Sequence, residues 1–238
     1  MISFDFEKIA PLCEKFGVTL SERICSRLSL YGNMLVEWNE KINLTAITTP
    51  EEILYKHFYD CILFFSAAEI SQNARIIDVG TGAGFPGMVL KILRPDIELT
   101  LLDGLNKRLI FLNEVLNALG LQAETVHLRA EEGGRKPEYR EKFDIACARA
   151  VAAMPALCEY CLPFVKPGGK FVAMKGSSGA EEAAAAENAA GLLGGSKPDI
   201  ICRNLRENEP RTFIIIKKIS QTPTKYPRNG GKITKSAL

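Results

Sequence analysis

A chain of 238 residues, 47% apolar and 24% charged, suits one globular domain with a small extension. Its net charge of +2 is bland, and the composition excludes collagen-like, mucin-like and disordered classes. The longest apolar runs, such as FIIIKK from Phe213, fall far short of the ~20 residues a membrane span needs, and the N-terminus shows no signal-peptide pattern.

Residues 1–72 read as a helical extension. From Ser21 a capped helix carries Ile24, Leu28, Tyr31, Leu35 and Trp38 at spacings of three and four, which makes one apolar face. A polar connection, WNEKINLTAITT, follows. A second helix starts at Thr49-Pro50-Glu51-Glu52, with threonine as cap, proline in the first turn and acids beside the positive helix end. It carries Ile53, His57, Cys61 and Phe64 on one side.

Residues 73–220 change rhythm to strand, turn, helix. RIIDVG, ELTLLD, AETVHL, FDIACA and GKFVAMKG read as strands one to five. A short helix from Gly87 to Leu93, NKRLIFLNEVLNALG and PALCEYCLPFV are the helices between them. The alanine run SGAEEAAAAENAAGLLGG predicts one exposed crossover helix. DIICRNL and RTFIIIKKI close the sheet, the last antiparallel to its neighbour. The fold class is therefore α/β, a doubly wound, mostly parallel, Rossmann-like sheet with right-handed crossovers. Residues 221–238 read as an extended or partly ordered basic tail. From Ile201 to Leu238 nine Lys/Arg stand against two acids, an asymmetry that suits either a polyanionic partner or a solvated end.

Seven cysteines, an odd number scattered along the chain, indicate reduced thiols and a cytoplasmic setting. Cys158-x-x-Cys161 lacks a second pair, and His57 and His127 are too few and too separated for a metal site, so none is expected.

The stretch IIDVGTGAGFPG, Ile76 to Gly87, carries the chemistry. Glycines at 80, 82, 84 and 87 turn the backbone sharply and let it approach a ligand at the carboxyl end of strand one. Gly82-x-Gly84-x-x-Gly87 matches the dinucleotide fingerprint, and Asp103 lies 21 residues beyond Gly82, where a ribose-binding acid belongs. A nicotinamide oxidoreductase is therefore one reading. Asp78 opposes it, because a carboxylate at the loop mouth repels a pyrophosphate. The same carboxylate suits S-adenosylmethionine, which carries a sulfonium and an amino group and no phosphate.

Together IIDVGTGAGFPG, LLDGLNKRLIFLNEV, RAEE, ARAVA, MKG, YPRNGG, WNEKINLTAIT and HFYDC resemble the bacterial small-subunit ribosomal RNA methyltransferase G family, also called glucose-inhibited division protein B. The resemblance covers nearly the whole chain. It implies the seven-stranded class I fold and transfer of a methyl group from S-adenosylmethionine to N7 of a guanine in 16S rRNA of the small ribosomal subunit. Carried across, the family's donor-binding positions resemble Gly80, Phe85, Ala130, Glu131 and Arg149, with Asp78, Gly82 and Asp103 added from the loop reading. The chain departs from the family at Gly104 (usually Ser), Cys147 (commonly Ser or Thr), and Ile233 and Ala237 (often Pro).

Guanine N7 has a lone pair and no proton, so no general base is expected. Arg149, closing strand four, is placed nearest the reacting centre, holding the donor carboxylate or the guanine edge; a salt bridge to Asp144 or Glu131 is the plainer alternative. Lys175, Lys225, Arg228 and Lys232 are candidate RNA contacts. A monomer acting on rRNA or the small subunit, away from membranes, is expected. A small-molecule methyltransferase and a non-catalytic RNA-binding assembly factor are the alternatives.

Overall fold

The computed structural model describes residues 2–238. Helices α1 (Ala10–Glu14) and α2 (Glu22–Asn39) open the chain, and the Ser21 hydroxyl caps α2 by accepting from the Ile24 N–H. Leu28, Tyr31 and Leu35 are the buried face of α2, as their spacing predicts. Thr49 caps α3 (Pro50–Glu52) in the same way. The segment then widens into π-helical turns over Ile53–Tyr59 before α4 (Asp60–Ile62), where the sequence predicts one regular helix. Ile53, Leu54, His57, Phe58 and Tyr59 are all buried there, a broader inward face than the single stripe of a regular helix provides. Such turns are frequent at functional sites.

Strands and helices then alternate: β1 (Arg75–Val79), α5 (Gly87–Leu93), β2 (Glu98–Asp103), α6 (Asn106–Leu119), β3 (Glu124–His127), α7 (Ala130–Gly133), β4 (Phe143–Arg149), α8 (Met154–Cys161) and β5 (Val165–Lys175). The chain closes with α9 (Gly179–Ala185), α10 (Glu187–Leu192), β6 (Asp199–Asn204), β7 (Pro210–Lys217) and α11 (Gly230–Lys235). The seven strands lie in the order β3-β2-β1-β4-β5-β7-β6. All pair parallel except β7, which runs antiparallel between β5 and β6. Strand order reverses between β1 and β4, so a crevice opens beyond their carboxyl ends.

Side chains alternate across the sheet and divide the core into two layers. Ile76 of β1 faces the N-terminal helices, α5 and α6, whereas Ile77 and Val79 face α8, α9 and α10. Trp38 packs on Phe111 of α6 at 5.6 Å between ring centroids, joining the helical extension to the sheet.

Two expectations are corrected. The alanine run forms two helices, not one, and it is not simply exposed: Ala183, Ala186, Ala189 and Ala190 are buried. Small side chains let this crossover lie close to the sheet. Gly179 makes the point, since a Cβ there would stand 2.3 Å from Thr212 Cβ. The C-terminal tail is folded. Tyr226 and Ile233 are buried, and Asn229 caps α11 by accepting from the Lys232 N–H at 2.9 Å.

Candidate active site

The glycine loop after β1 is tied down from both sides. Gly80 and Thr81 donate their N–H groups to the Leu102 carbonyl at 2.8 and 3.0 Å, which docks the loop on β2. Gly80, Gly82 and Gly84 take φ of +69°, +60° and +100°, a region closed to most side chains. Asp103 at the end of β2 accepts from the Gly82 N–H at 2.9 Å and the Leu105 N–H at 2.8 Å, and Arg108 reaches it at 3.3 Å.

Two chambers flank this loop. The larger, about 700 Å³, is lined by Gly80, Asp103, Gly104, Ala130, Glu131 and Val151, with Gly230, Gly231 and Thr234 on its outer side. The smaller, about 400 Å³, is lined by Thr45, His57, Gly82, Phe85, Arg149 and Arg211. Gly80, Arg108 and Ala150 line both. Gly80 has no spare room, because a Cβ would lie 2.8 Å from a Val151 methyl. Gly104 likewise leaves space that the Arg129 side chain takes up; a Cβ would stand 3.0 Å from it.

Asp78 does not line either chamber. It is fully buried beneath the loop, where its Oδ2 accepts from the Thr81 hydroxyl at 2.7 Å and the Gly87 N–H at 2.9 Å. Its Oδ1 has no partner among the described residues, and burial pushes the carboxyl up to about 6. The residue expected at the loop mouth instead braces the loop against the start of α5.

Arg149 does sit beside the crevice, but with a different partner from either sequence alternative. It donates to the Lys56 carbonyl at 2.8 Å, to Asp60 at 3.0 Å and to His57 Nδ1 at 3.0 Å, and it lies over the Phe85 ring at 4.9 Å. Asp144 is engaged elsewhere, by Lys166 and the Arg75 N–H. Asp60 also accepts from Arg211 Nε at 2.8 Å, so one buried carboxylate gathers two arginines from β4 and β7. His57 stacks on Phe85 at 4.2 Å. Since arginine only donates, His57 Nδ1 is an acceptor and its Nε2–H points to the Thr45 hydroxyl at 3.0 Å.

Burial first, and the Arg149 charge second, hold His57 down at about 3. The unfolded chain therefore takes up a proton near pH 6.5 that the folded chain refuses until pH 3. Stability is full above pH 6.5 and falls as pH drops through that window, by up to about 5 kcal/mol from this group. Asp78 has the opposite sign, because its raised carboxyl favours the fold below pH 6. His57→Gln removes only the first effect. Urea unfolding at pH 7.5, 6 and 5 should show the gap between variant and wild type closing as pH falls. Parallel curves would mean that His57 titrates as freely in the fold as out of it.

Lys175 lies outside both chambers and pairs with Glu182 at 2.7 Å. Arg228 binds Glu159 of α8 through Nε and Nη2, at 3.0 and 2.7 Å, with its own N–H on the same carboxylate at 2.6 Å. Lys225 and Lys232 are exposed. Among the described residues no group of three or more His, Cys, Asp or Glu is placed to hold a metal ion, and no helix is long and apolar enough to cross a membrane. Cys147, Cys158 and Cys161 are buried, unpaired thiols.

The family model for rRNA small subunit methyltransferase G matches residues 24–208. The chain belongs to that family. It is 48% identical over 235 residues to the ribosomal RNA small subunit methyltransferase G of Clostridium perfringens strain 13, covering 98% of each chain. It is 52% identical over 225 residues to the protein of that name from Acetivibrio thermocellus, covering 94% of this chain and 92% of the relative. Among solved structures, a precorrin-6y C5,15-methyltransferase from Geobacter metallireducens shares the fold with a TM-score of 0.53 at 16% identity, over 74% of this chain and 92% of that one. A 16S rRNA (adenine(1408)-N(1))-methyltransferase variant from Catenulisporales acidiphilia gives 0.52 at 15% identity, over 67% and 89%. The seven-stranded sheet is thus the class I methyltransferase fold.

Several residues of the site are ones that the loop pattern alone does not pick out. Asp60 and Arg211 organise the smaller chamber from 151 residues apart. Arg108 stands where the chambers meet, and its buried Nε has no partner among the described residues. Its signal was its place five residues after Asp103 in the first turn of α6. Gly230 and Gly231 close the YPRNGG stretch, but only the fold brings them to the cavity.

Proposed function

We propose that this chain transfers the methyl group of S-adenosylmethionine to N7 of a guanine in 16S rRNA of the small ribosomal subunit. Family membership and its relatives' names support the rRNA substrate. The single observation that carries the donor is the fate of the α5 N-terminus. A pyrophosphate needs the free N–H groups and positive end of that helix. Here the Gly87 N–H is bound to Asp78, whose carboxylate fills the position an anion would take.

The larger chamber suits the nucleoside part of the donor, at a volume ordinary for such ligands. Asp103 is oriented by two backbone N–H groups so that its remaining lone pairs meet ribose hydroxyls. Glu131 and Ala130 would address the adenine, and the bare backbone at Gly80 and Gly82 would lie along the methionine portion. Arg108, which holds Asp103 through Nη1 alone, would be the cation at the junction for the donor carboxylate, because Arg149 is engaged by Asp60, His57 and Lys56 together. Phe85 and Arg149 shape the second chamber, where the acceptor base would enter. When bound, S-adenosylmethionine supplies a methyl group on a positively charged sulfur. Neutral His57, with both ring nitrogens occupied, is no proton acceptor, and N7 needs none. Alignment is the residues' task, worth up to about 7–11 kcal/mol in favourable cases.

In this reading residues 1–72 and 221–238 flank a donor-binding domain of 73–220, and the protein works as a cytoplasmic monomer. Exposed Lys225 and Lys232 are the tail's phosphate contacts. Calorimetry tests the donor: S-adenosylmethionine and its demethylated product should bind and NAD should not. Binding of NAD with no response to S-adenosylmethionine would overturn the reading. Mass spectrometry of 16S rRNA treated with the protein should then show one added methyl at a guanine N7.

A further inference from the structure

The donor chamber is closed on its outer side by the last residues of the chain, far from the glycine loop in sequence. Gly230, Gly231 and Thr234 line it. Gly230 backs directly onto Glu131, since an ideal Cβ on Gly230 would stand 2.2 Å from Glu131 Oε1. We propose that the segment from Tyr226 to Lys235 is a working wall of the donor site, and that Gly230 is a positioning residue that sets the Glu131 carboxylate against the donor's adenine amino group. The proposal rests on the donor reading above.

A merely solvated end would not be held as this one is. Arg228 gives four hydrogen bonds to Glu159, a carboxylate with 0% exposure on α8. Arg140 donates to the carbonyls of Tyr226 at 2.9 Å and Thr222 at 2.6 Å. Ile233 is completely buried, so α11 is fixed by its side chain as well as by its cap. These anchors leave Gly230 no freedom to withdraw. Glu131 is the second residue of α7, its side chain is free of any ion pair among the described residues, and the Gly230 backbone lies against its Oε1. Gly230 meets one carboxylate oxygen, Oε1, and so fixes the angle at which the carboxylate faces the cavity that Glu131 lines. There it accepts from an N–H of an exocyclic amino group, the hydrogen bond that separates adenine from a base bearing a carbonyl in that place.

The test is a double-variant cycle read by S-adenosylhomocysteine calorimetry on the full chain. Gly230 lies in a helical turn with no positive φ, so Gly230→Ala is compatible with the backbone, and the added methyl must displace the Glu131 carboxylate. Gly230→Ala should weaken binding about tenfold, the scale of one lost hydrogen bond to a charged group. Glu131→Ala should weaken it similarly. The double variant should bind no worse than Glu131→Ala alone, because the methyl then has nothing to push. Wild-type affinity in either single variant would overturn the proposal, as would losses that add in full. A fall in melting temperature of more than a few degrees in Gly230→Ala would place that glycine in the fold and not in the wall, and overturns it too. If the wild-type chain itself fails to bind S-adenosylhomocysteine, the donor reading falls first, and the two failures are told apart.

Discussion

Arg149→Ala should lose nearly all methyl transfer and about 3 kcal/mol of stability together. Removing one partner of a buried ion pair typically costs about 3–5 kcal/mol, because the other charge stays buried. The lower end applies here, since Asp60 keeps Arg211. The loss of activity has a separate cause. Without the guanidinium, His57 loses the donor to its Nδ1, Phe85 loses the cation above its ring, and the Lys56 carbonyl is released. The wall of the second chamber then relaxes around the position where the base must align, and misalignment of about 1 Å can cost 10²-fold. Arg149→Lys should not rescue, because an ammonium cannot address three partners in one plane. Donor affinity should fall much less than turnover, since the larger chamber is built from other residues. Urea unfolding, donor calorimetry and incorporation of labelled methyl check the three parts. Wild-type turnover in Arg149→Ala would make the arginine a brace for Asp60 and nothing more.

What could be read from the residues was what is local. The β-branched run before Gly80 marks β1, the glycines mark the turn, Gly120 ends α6 in the left-handed conformation, and Thr49-Pro50 marks a helix start. Asp103 was legible as well, because a strand end fixes where its side chain goes. The partners of charged residues were not. Arg149 and Asp60 are 89 residues apart, and nothing in either neighbourhood says that the π-helical turns will bring a carboxylate to the end of β4. Asp78 was read as hostile to a pyrophosphate and was placed at the loop mouth, one layer too high. Its neighbours Val79 and Ile77 face the opposite side of the sheet, which sends Asp78 down under the loop against α5. The tail misled for a related reason. Its charges lack apolar periodicity, but Arg228 finds Glu159, an acid on a helix that also buries Met154, Leu157, Cys158 and Cys161. An isolated acid on such a face is itself a signal that a cation will come to it.

That pairing separates two kinds of basic residue in the tail, and their variants should behave oppositely. Arg228→Glu sets a second carboxylate against Glu159, whose exposure is 0%, where water cannot screen the repulsion. A loss of about 3–5 kcal/mol is expected, along with release of residues 226–238 to proteases. Because that segment walls the larger chamber, donor binding should weaken as well. Lys225→Glu with Lys232→Glu touches neither the fold nor the chamber. Both lysines are exposed, the Lys225 ammonium lies over the neighbouring Tyr226 ring at 5.1 Å, and stability should stay within about 0.5 kcal/mol. Their effect should appear on RNA alone. Each phosphate contact to a single strand adds roughly −0.7 to the slope of log affinity against log salt, so losing two should flatten it by about 1.4. Fluorescence titrations with an rRNA fragment across 50–200 mM salt would show it. An unchanged slope in the lysine pair would take the tail out of RNA binding and leave it as the wall of the larger chamber only.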